Sequence, residues 1–306
     1  MNLPLRNQFQ PYIALAACLS SAFFVFLQPV FPVLAQAAPG PGAVVSPDVP
    51  ARTWIDAAAA NEFSIVNDDG KFPLRYRVHK VDSKEDITRE VIETRNGTVA
   101  RLVERNGQKL TAAEDAAERQ RLKDILASPG DFIKHHKRDD STRKYCLQLV
   151  KEMPGAMIFS YAPGQPQPPR VAERQIVIDF HPDTNYKTSE TVDNLLTGIE
   201  GRLWIDARSR RLTRAEARVI HPVNFGWGGV LAKIRDHGTI EFEQANAGGD
   251  RWVYSHVEEN LSMLALWVKN IPLNDRMTAT DFRMLPGPIS VQDAVHTLLA
   301  IPVPLR

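Results

Sequence analysis

In the second half of the chain, hydrophobic and polar residues alternate in short runs that turns separate. In the run 201–206, Leu203 and Ile205 fall on one side and Trp204 on the other, which is the period-two pattern of a strand with one covered face. After a short turn the run 212–220 alternates in the same way, so the two runs predict a β-hairpin. We therefore expect this half of the chain to form adjacent antiparallel strands.

The first half of the chain carries similar strand signals. The run 74–78 alternates, and the runs 86–94 and 98–104 are joined by Asn96-Gly97, a strong signal for a hairpin turn. Further strands are predicted at 157–161, 171–180, 239–244, 251–258, 261–268 and 278–285. The predicted strands thus form two groups, which a long helical stretch separates.

Helices are predicted from capping residues and composition. Thr53 and Asp56 have capping-box spacing and predict a short helix that packs its Trp54 on the sheet. Thr111 and Glu114 repeat this spacing before a stretch rich in Ala, Glu, Arg and Leu that extends to residue 127. Further helices are expected at 131–151 and 291–299.

Together these patterns predict an α+β fold, with a single long antiparallel sheet and helices inserted between its two groups of strands. A strongly curved sheet with helices over its concave side would enclose an apolar cavity. No internal repeat is visible, and the fold class therefore suggests a scaffold that holds an apolar group rather than an extended array.

The N-terminal segment 1–37 has the composition of an export signal. It contains no acidic residue and one basic residue, Arg6, before a long apolar stretch, and it ends in the small-x-small pattern Ala35-Gln36-Ala37. We predict cleavage after this pattern and a periplasmic mature protein. In it, 38–51 is a flexible leader rich in Pro, Ala and Gly, and 52–306 is a single domain.

Two alternatives for the N-terminal segment stay open. The apolar stretch is long enough, at about 20 residues, to remain in the membrane as an anchor, although prolines break its end and no basic cluster follows. The sequence Leu15-Ala16-Ala17-Cys18 also matches a lipoprotein cleavage site, which would leave a lipidated Cys18. N-terminal sequencing of the exported protein distinguishes the three outcomes.

Composition narrows the classes of function. The formal net charge of the whole chain is +1, whereas a nucleic-acid partner normally requires a basic excess, so no nucleic-acid partner is expected. After residue 37 the only cysteine is Cys146, so no intramolecular disulfide is expected in the oxidising compartment. Stability then has to come from an apolar core, in which Cys146 is predicted to be an inert thiol.

Motifs for common catalytic chemistry are absent from the sequence. The chain contains no Gly-x-Ser-x-Gly, His-Glu-x-x-His or P-loop sequence. The pair His135-His136 lies in a basic run, where neighbouring cations oppose a metal ion, so we predict no metal site and no cofactor. The chain is expected not to be an enzyme. A hydrolase whose His and Asp residues meet only in the fold is kept as an alternative.

Several runs of the sequence resemble exported bacterial proteins related to the outer-membrane lipoprotein carriers LolA and LolB. The similar runs are 101–121, 176–182, 201–206, 228–234, 237–238 and 251–253. This resemblance covers most of 72–285 and implies an incomplete, strongly bent antiparallel barrel, with helices as a lid over an apolar cavity that shelters acyl chains. The segment 111–154 is longer than in a minimal carrier of this type.

The Gly-rich segment 225–229 is the best candidate for a ligand contact. Its glycines surround Trp227, and Val230, Leu231 and Ile234 are expected on one side of a helical turn that follows, so the element would cover or enter a cavity. The alternative is a tight turn whose tryptophan only fills the core. The predicted contacts, which include Trp204 if its side of the strand faces the cavity, are Trp204, Phe225, Trp227, Val230, Leu231 and Ile234.

The sequence therefore predicts a non-enzymatic periplasmic carrier or sensor that binds a lipid or an acylated polypeptide, with lipoprotein sorting as one such role. The expected partners are lipid or lipoprotein acyl chains and a protein of the inner or outer membrane. An acyl chain needs a shelter because each methylene exposed to water costs about 0.8 kcal/mol. An envelope interaction module without lipid cargo, and the hydrolase above, are the alternative functions.

Overall fold

The structure is a computed structural model, and it describes residues 49–66, 73–136, 139–169, 171–187, 193–225, 232–249, 251–265 and 269–304. The predicted signal segment 1–37 and most of the predicted leader lie outside these residues. Within the described part of the chain, no helix is both long and apolar enough to span a membrane.

The secondary structure follows the predicted two groups of strands with helices between them. The helices are α1 (Ala51–Val66), α2 (Ala112–Ala127), α3 (Pro129–His136), α4 (Asp139–Ala156), α5 (Asp193–Leu196) and α6 (Val291–Ala300). The strands are β1 (Leu74–Val81), β2 (Asp86–Thr94), β3 (Gly97–Arg105), β4 (Gln108–Lys109), β5 (Met157–Tyr161), β6 (Gln175–Pro182), β7 (Ile199–Asp206), β8 (Leu212–Val219), β9 (Val223–Phe225), β10 (Ala232–Ile234), β11 (Thr239–Asn246), β12 (Trp252–Ala265) and β13 (Lys269–Met284).

These strands form one antiparallel sheet. Its order is β4-β3-β2-β1-β13-β12-β11-β8-β7-β6-β5, and the hairpin of β9 and β10 joins it through β12. Within the described residues the end strands β4 and β5 do not pair with each other, so the sheet stays open and is not closed into a barrel. The predicted α+β class and the single antiparallel sheet are confirmed.

One face of the sheet carries the largest apolar cluster, and we call it the inner face. Leu203 of β7 pairs with Ala215 of β8, which in turn pairs with Phe242 of β11, so the three side chains share this face. Ile55 of α1 and Met153 of α4 pack against the same cluster. The predicted alternation of 201–206 and 212–220 is therefore confirmed, because Leu203 and Ile205 are buried on the side that these helices cover.

The helices divide between the two faces of the sheet. Ile92 and Val99 are paired across β2 and β3 and are buried against Leu122 of α2 and Val295 of α6. The neighbouring residue Val91 points to the inner face. The pairing across β1, β13 and β12 places its side chain on the same side of the sheet as Phe242 of β11. Helices α2 and α6 thus cover the outer face near β2 and β3, whereas α1 and α4 cover the inner face at the other end.

Strands β12 and β13 are longer than the sequence predicts. The predicted runs 251–258 and 261–268 belong, as far as residue 265, to one continuous strand, although Glu259 interrupts the apolar pattern. β13 begins at Lys269 and includes Pro272, while its pairing with β1 begins only at Arg276. Because no strand in the described part of the chain pairs with β13 on that side before Arg276, a proline without an N–H group is tolerated there.

The predicted helix starts have different outcomes. Thr111 and Glu114 form the predicted capping box of α2, with the Thr111 hydroxyl accepting from the Glu114 backbone N–H at 3.2 Å. The capping box at Thr53 is wrong, because α1 begins at Ala51 and Asp56 instead pairs with Arg52, one turn earlier, at 2.8 Å. The predicted hairpin at 86–104 is confirmed as β2 and β3.

Candidate functional site

The candidate site is the apolar layer between the inner face and the helices α1 and α4. Ile55 and Ala58 of α1 are buried in this layer, and Leu149 of α4 packs against it. On the sheet side the layer includes Leu203 and Leu261, which are also buried. Because the helices and the sheet meet through apolar side chains, an apolar group placed between them would keep the same kind of contact.

Helix α1 places a carboxyl group in this apolar layer. The buried residues of α1 are Ala51, Ile55, Ala58 and Glu62, whose three- and four-residue spacing places them on one side of the helix. Glu62 is only 4% exposed. The sequence does signal this position, because Glu62 follows Ile55 and Ala58 at helical spacing on the apolar side of the helix. The helix predicted from Thr53 was too short to include Glu62.

Glu62 is bound by two polar groups of the sheet. Gln244 of β11 donates from its Nε2 to both carboxylate oxygens, each at 2.8 Å, and the hydroxyl of Tyr254 on β12 donates at 2.8 Å. The Tyr254 ring packs edge-on against Phe242, with 5.4 Å between the ring centroids. We call Glu62, Gln244 and Tyr254 the Glu62 site.

Burial dominates the electrostatics of the Glu62 site. It raises the pKa of Glu62 to about 7, although the hydrogen bonds from Tyr254 and Gln244 and the charge of Arg211 act in the opposite direction. Burial, together with the neighbouring Glu62 charge, also raises the pKa of Tyr254 well above its usual range. Glu62 therefore exchanges a proton near neutral pH, while Tyr254 stays protonated.

A small cavity lies beside the inner face, at the end away from α1 and α4. This cavity, on the inner face of β1, β2 and β13, has a volume of only 10 Å³, about enough for one water molecule. Its lining residues are Val78, Lys80, Ile87, Arg89, Val91 and Met277. Sites for drug-sized ligands occupy about 300 to 1,000 Å³, so this cavity does not hold an acyl chain. Because α1 packs directly on the sheet, a chain placed in the apolar layer would have to displace it.

Three of the predicted ligand contacts, Trp227, Val230 and Leu231, lie outside the described residues, and their role stays a prediction. Phe225 ends β9, where its backbone pairs with Ala232, and its side chain lies outside the described part. Ile234 is 1% exposed and belongs to the cluster of the inner face. The helical turn expected to carry Ile234 is wrong, because residues 232–234 form strand β10 between β9 and β12.

Trp204 lies on the outer face, away from Ile234. It is 6% exposed and packs with Ala162 and Val177, while its Nε1 donates to the carbonyl oxygen of Pro166 at 2.9 Å. The guanidinium carbon of Arg214 lies 5.5 Å from the Trp204 ring centroid. The structure therefore does not bring Trp204 and Ile234 together at one site, and a ligand contact for Trp204 remains only a prediction.

A second buried polar group fixes the helices of the outer face. Arg101 of β3 is fully buried and donates from its Nη1 to the carbonyl oxygens of Leu298 and Ile301, at 2.6 and 2.8 Å. Its Nη2 donates to Asp115 of α2 at 2.7 Å. One side chain thus joins β3 to α2 and to the C-terminal end of α6, and the pairing compensates its charge.

Other chemistry-bearing residues do not converge in the described part of the chain. Among these residues there is no group of three or more His, Cys, Asp or Glu side chains that could hold a metal ion. Cys146 is half-buried on α4. The side chains of His135 and His136 lie outside the described part, so the prediction about that pair is untested.

Comparison with known proteins gives limited matches. No protein-family model and no curated protein matches this chain. The chain is similar in structure to a LolA superfamily protein from Nitrosomonas europaea, with 10% identity and a TM-score of 0.28 over 78% of this chain and 96% of that one. It is also similar to a putative outer membrane lipoprotein-sorting protein domain from Vibrio parahaemolyticus, with 8% identity and a TM-score of 0.32 over 82% of this chain and 100% of that one.

Proposed function

We propose that this chain is an exported, non-enzymatic carrier or sensor that shelters an acyl chain between helix α1 and the inner face of its sheet. The observation that supports the proposal is the apolar layer that α1, α4 and the open sheet share. The class of cargo, a lipid or an acylated polypeptide, is taken from the family resemblance of the strand sequences. A periplasmic location and a membrane-protein partner belong to the same proposal.

A cargo that displaces α1 has to replace the apolar contacts of this helix. The buried apolar residues Ala51 and Ala58 are small, whereas Ile55 is buried and Trp54 is partly buried against the same cluster. Removing the helix therefore exposes Ile55, Trp54 and the inner face of the sheet. An acyl chain that replaces it restores the burial of the inner face, at about 25 cal/mol per Å² of apolar surface.

A photoreactive fatty acid tests this proposal directly. The purified mature protein is incubated with a fatty acid that carries a diazirine, irradiated and digested, and the labelled peptides are identified by mass spectrometry. We expect labels in α1 and on the inner-face strands β7, β8 and β12, and we expect unlabelled fatty acid to compete. Labels confined to the outer face around Trp204, or no specific label, would contradict the proposal.

In this proposal the Gly-rich segment 225–229 keeps its predicted role as a contact of the acyl chain. Replacing Trp227 and Leu231 together by Ser is expected to weaken binding of a fluorescent fatty acid by about tenfold or more, because each buried apolar side chain is worth on the order of 1.5 to 3 kcal/mol. The thermal midpoint of the same variant separates this outcome from a core role, which would instead lower stability.

An envelope interaction module without lipid cargo is the second candidate function. It is favoured by the direct attachment of α1 to the sheet, where Gln244 and Tyr254 donate to Glu62, because a sheet that never opens needs no cavity for a cargo. Mass spectrometry of organic extracts of the purified protein separates the two candidates. Co-purifying lipid supports the carrier, whereas a defined membrane-protein partner without lipid supports the module.

A further inference from the structure

The Glu62 site joins α1 to the sheet by a group that can change its charge. Glu62 continues the apolar stripe of Ile55 and Ala58, so its carboxyl group lies in the interface that a moving α1 would open. A second polar contact lies beside it, where Nδ2 of Asn61 donates to the carbonyl oxygen of Arg210 at 3.0 Å. Separation of α1 from the sheet therefore has to break the bonds of Glu62.

The bonds of Glu62 depend on its protonation state. The side-chain oxygen Oε1 of Gln244 is buried and has no hydrogen-bond partner among the described residues, while Nε2 donates to both oxygens of Glu62. A protonated carboxyl group can donate to an amide oxygen and accept from the same amide, which forms a pair with two hydrogen bonds. An ionised carboxylate cannot donate, so Oε1 stays unsatisfied and the closed interface contains a buried negative charge.

Among the residues that the structure describes, the charged and titratable groups around Glu62 do not neutralise this charge by contact. On the sheet side they are Tyr254 of β12, which donates its hydroxyl, and Arg211 after β7, which acts through its charge. From α4, Cys146 interacts electrostatically with Tyr254. On α1 itself, Asp56 points to solvent and pairs with Arg52. Gln244 supplies an uncharged amide, so the neighbours in direct contact are polar but neutral.

We propose that the Glu62 site is a pH-sensitive switch, which holds α1 on the inner face while the carboxyl group is protonated and favours release of α1 when it ionises. Ionisation of Glu62 would thus control how readily the apolar layer opens. The role of this opening in cargo uptake rests on the proposed function. The partner that it fits is therefore an acyl chain that enters more readily at neutral than at acidic pH.

Linkage gives the direction and size of the effect. The carboxyl group has a pKa of about 7 in the closed interface, compared with its ordinary value of 4.5 once α1 exposes it to water. The closed form thus binds the proton more tightly, and the opening equilibrium increases by up to about tenfold per pH unit between these values. Above the upper value the opening equilibrium no longer changes with pH.

Hydrogen exchange of α1 without any lipid tests the switch. Exchange of the peptide 51–66 is measured by mass spectrometry at pH 5.5, 6.5 and 7.5 in the wild type and in Glu62→Gln. The ratio of the two rates at each pH removes the intrinsic pH dependence of exchange. We expect this ratio to increase by roughly tenfold or more between pH 5.5 and 7.5. A ratio that is the same at all three pH values would overturn the proposal.

Two controls keep the experiment decisive. Asp56→Asn removes an exposed carboxylate from the same helix and should leave the pH dependence of the wild type intact; loss of that dependence in this variant would also overturn the proposal. If Glu62→Gln does not fold, α2 serves as the reference within the wild type, because it has the same length of 16 residues. The ratio of α1 to α2 exchange should then rise with pH, and a constant ratio would contradict the switch.

The hydrogen-exchange and lipid-binding experiments can fail independently, so the switch and the carrier proposal are tested separately. A constant exchange ratio together with fatty-acid labelling of α1 would remove the switch and keep the carrier. A rising ratio without any lipid binding would keep the switch and remove the carrier. When both hold, uptake of a fluorescent fatty acid should be faster at pH 7.5 than at pH 5.5 in the wild type, and this difference should disappear in Glu62→Gln.

Discussion

The two helical layers of this sheet are each fixed by a buried charged residue, but in opposite electrostatic settings. On the outer face, Arg101 meets a carboxylate of α2 and two carbonyl oxygens at the end of α6. On the inner face, the described residues in direct contact with the carboxyl group of Glu62 supply an amide and a hydroxyl group. The first arrangement pairs its charge, whereas the second leaves its charge without a contacting cation.

This difference separates a permanent attachment from a conditional one. Burial acts to raise the pKa of Asp115, but the hydrogen bonds and charges of Arg101 and Arg119 outweigh it and lower that pKa. Asp115 therefore stays ionised through the neutral range, and α2 stays attached. Burial of Glu62 is not outweighed in this way, so its pKa is raised and the attachment of α1 depends on pH.

The largest effect is expected for the outer-face layer. Arg101→Ala should lower the free energy of unfolding by about 3 to 5 kcal/mol, because it removes the buried cationic partner of Asp115 and leaves two carbonyl oxygens without this donor. Urea unfolding at pH 7 measures this change. Arg119→Ala is the matched control, since Arg119 binds the same Asp115 from a more exposed position and should cost about 1 kcal/mol or less. Equal effects of the two variants would contradict the central role of Arg101.

A smaller effect of opposite sign is expected for the inner-face layer. Glu62→Gln should raise the free energy of unfolding at pH 8 by roughly 1 to 3 kcal/mol, because the wild type then has to bury an ionised carboxylate. The folded protein binds this proton more tightly than the unfolded chain does. The wild type is therefore favoured at low pH and loses this stability as the pH rises from 4.5 to about 7.

Thermal or urea midpoints across this pH range measure the difference between wild type and variant. At pH 4.5 the two proteins should be nearly equal in stability, because Glu62 is then protonated in the folded state and already half protonated in the unfolded state. A gap of the same size at pH 4.5 and pH 8 would show that the amide stabilises the protein for a reason other than charge.

The smallest effect tests the start of α2, which the Arg101 layer requires. Thr111→Ala should lower the free energy of unfolding by about 1 kcal/mol, because it removes the side-chain acceptor of the capping box. Thr111→Ser keeps the hydroxyl group and should stay close to the wild type. An unchanged urea midpoint in the alanine variant would mean that the Arg101 contacts alone fix this end of the helix.

Much of the local structure was predictable because its signals lie within a few residues. The capping box at Thr111, the hairpin of β2 and β3, and the alternation of Leu203 and Ile205 all follow from short-range patterns that the structure confirms. The continuous β12 was missed because Glu259 breaks the apolar alternation, although it lies within the strand and is buried.

The division of the helices between two faces was not predictable in the same way. It depends on the register by which Ile92 and Val91 point to opposite sides, and on distant contacts such as that between Arg101 and Leu298, which are 197 residues apart in the chain. The Glu62 site was missed for a similar reason. Its partners Gln244 and Tyr254 lie 182 and 192 residues after Glu62 in the chain, so no short-range pattern connects them.

The central claim is that α1, and not α2, leaves the sheet to admit an apolar cargo. Hydrogen exchange of the peptides 51–66 and 112–127, measured in one sample at pH 7.5 with and without a saturating fatty acid, tests it most directly. The account predicts that bound fatty acid speeds exchange in α1 and leaves α2 unchanged. Bound fatty acid with unchanged or slower exchange in α1, or faster exchange in α2, would contradict it.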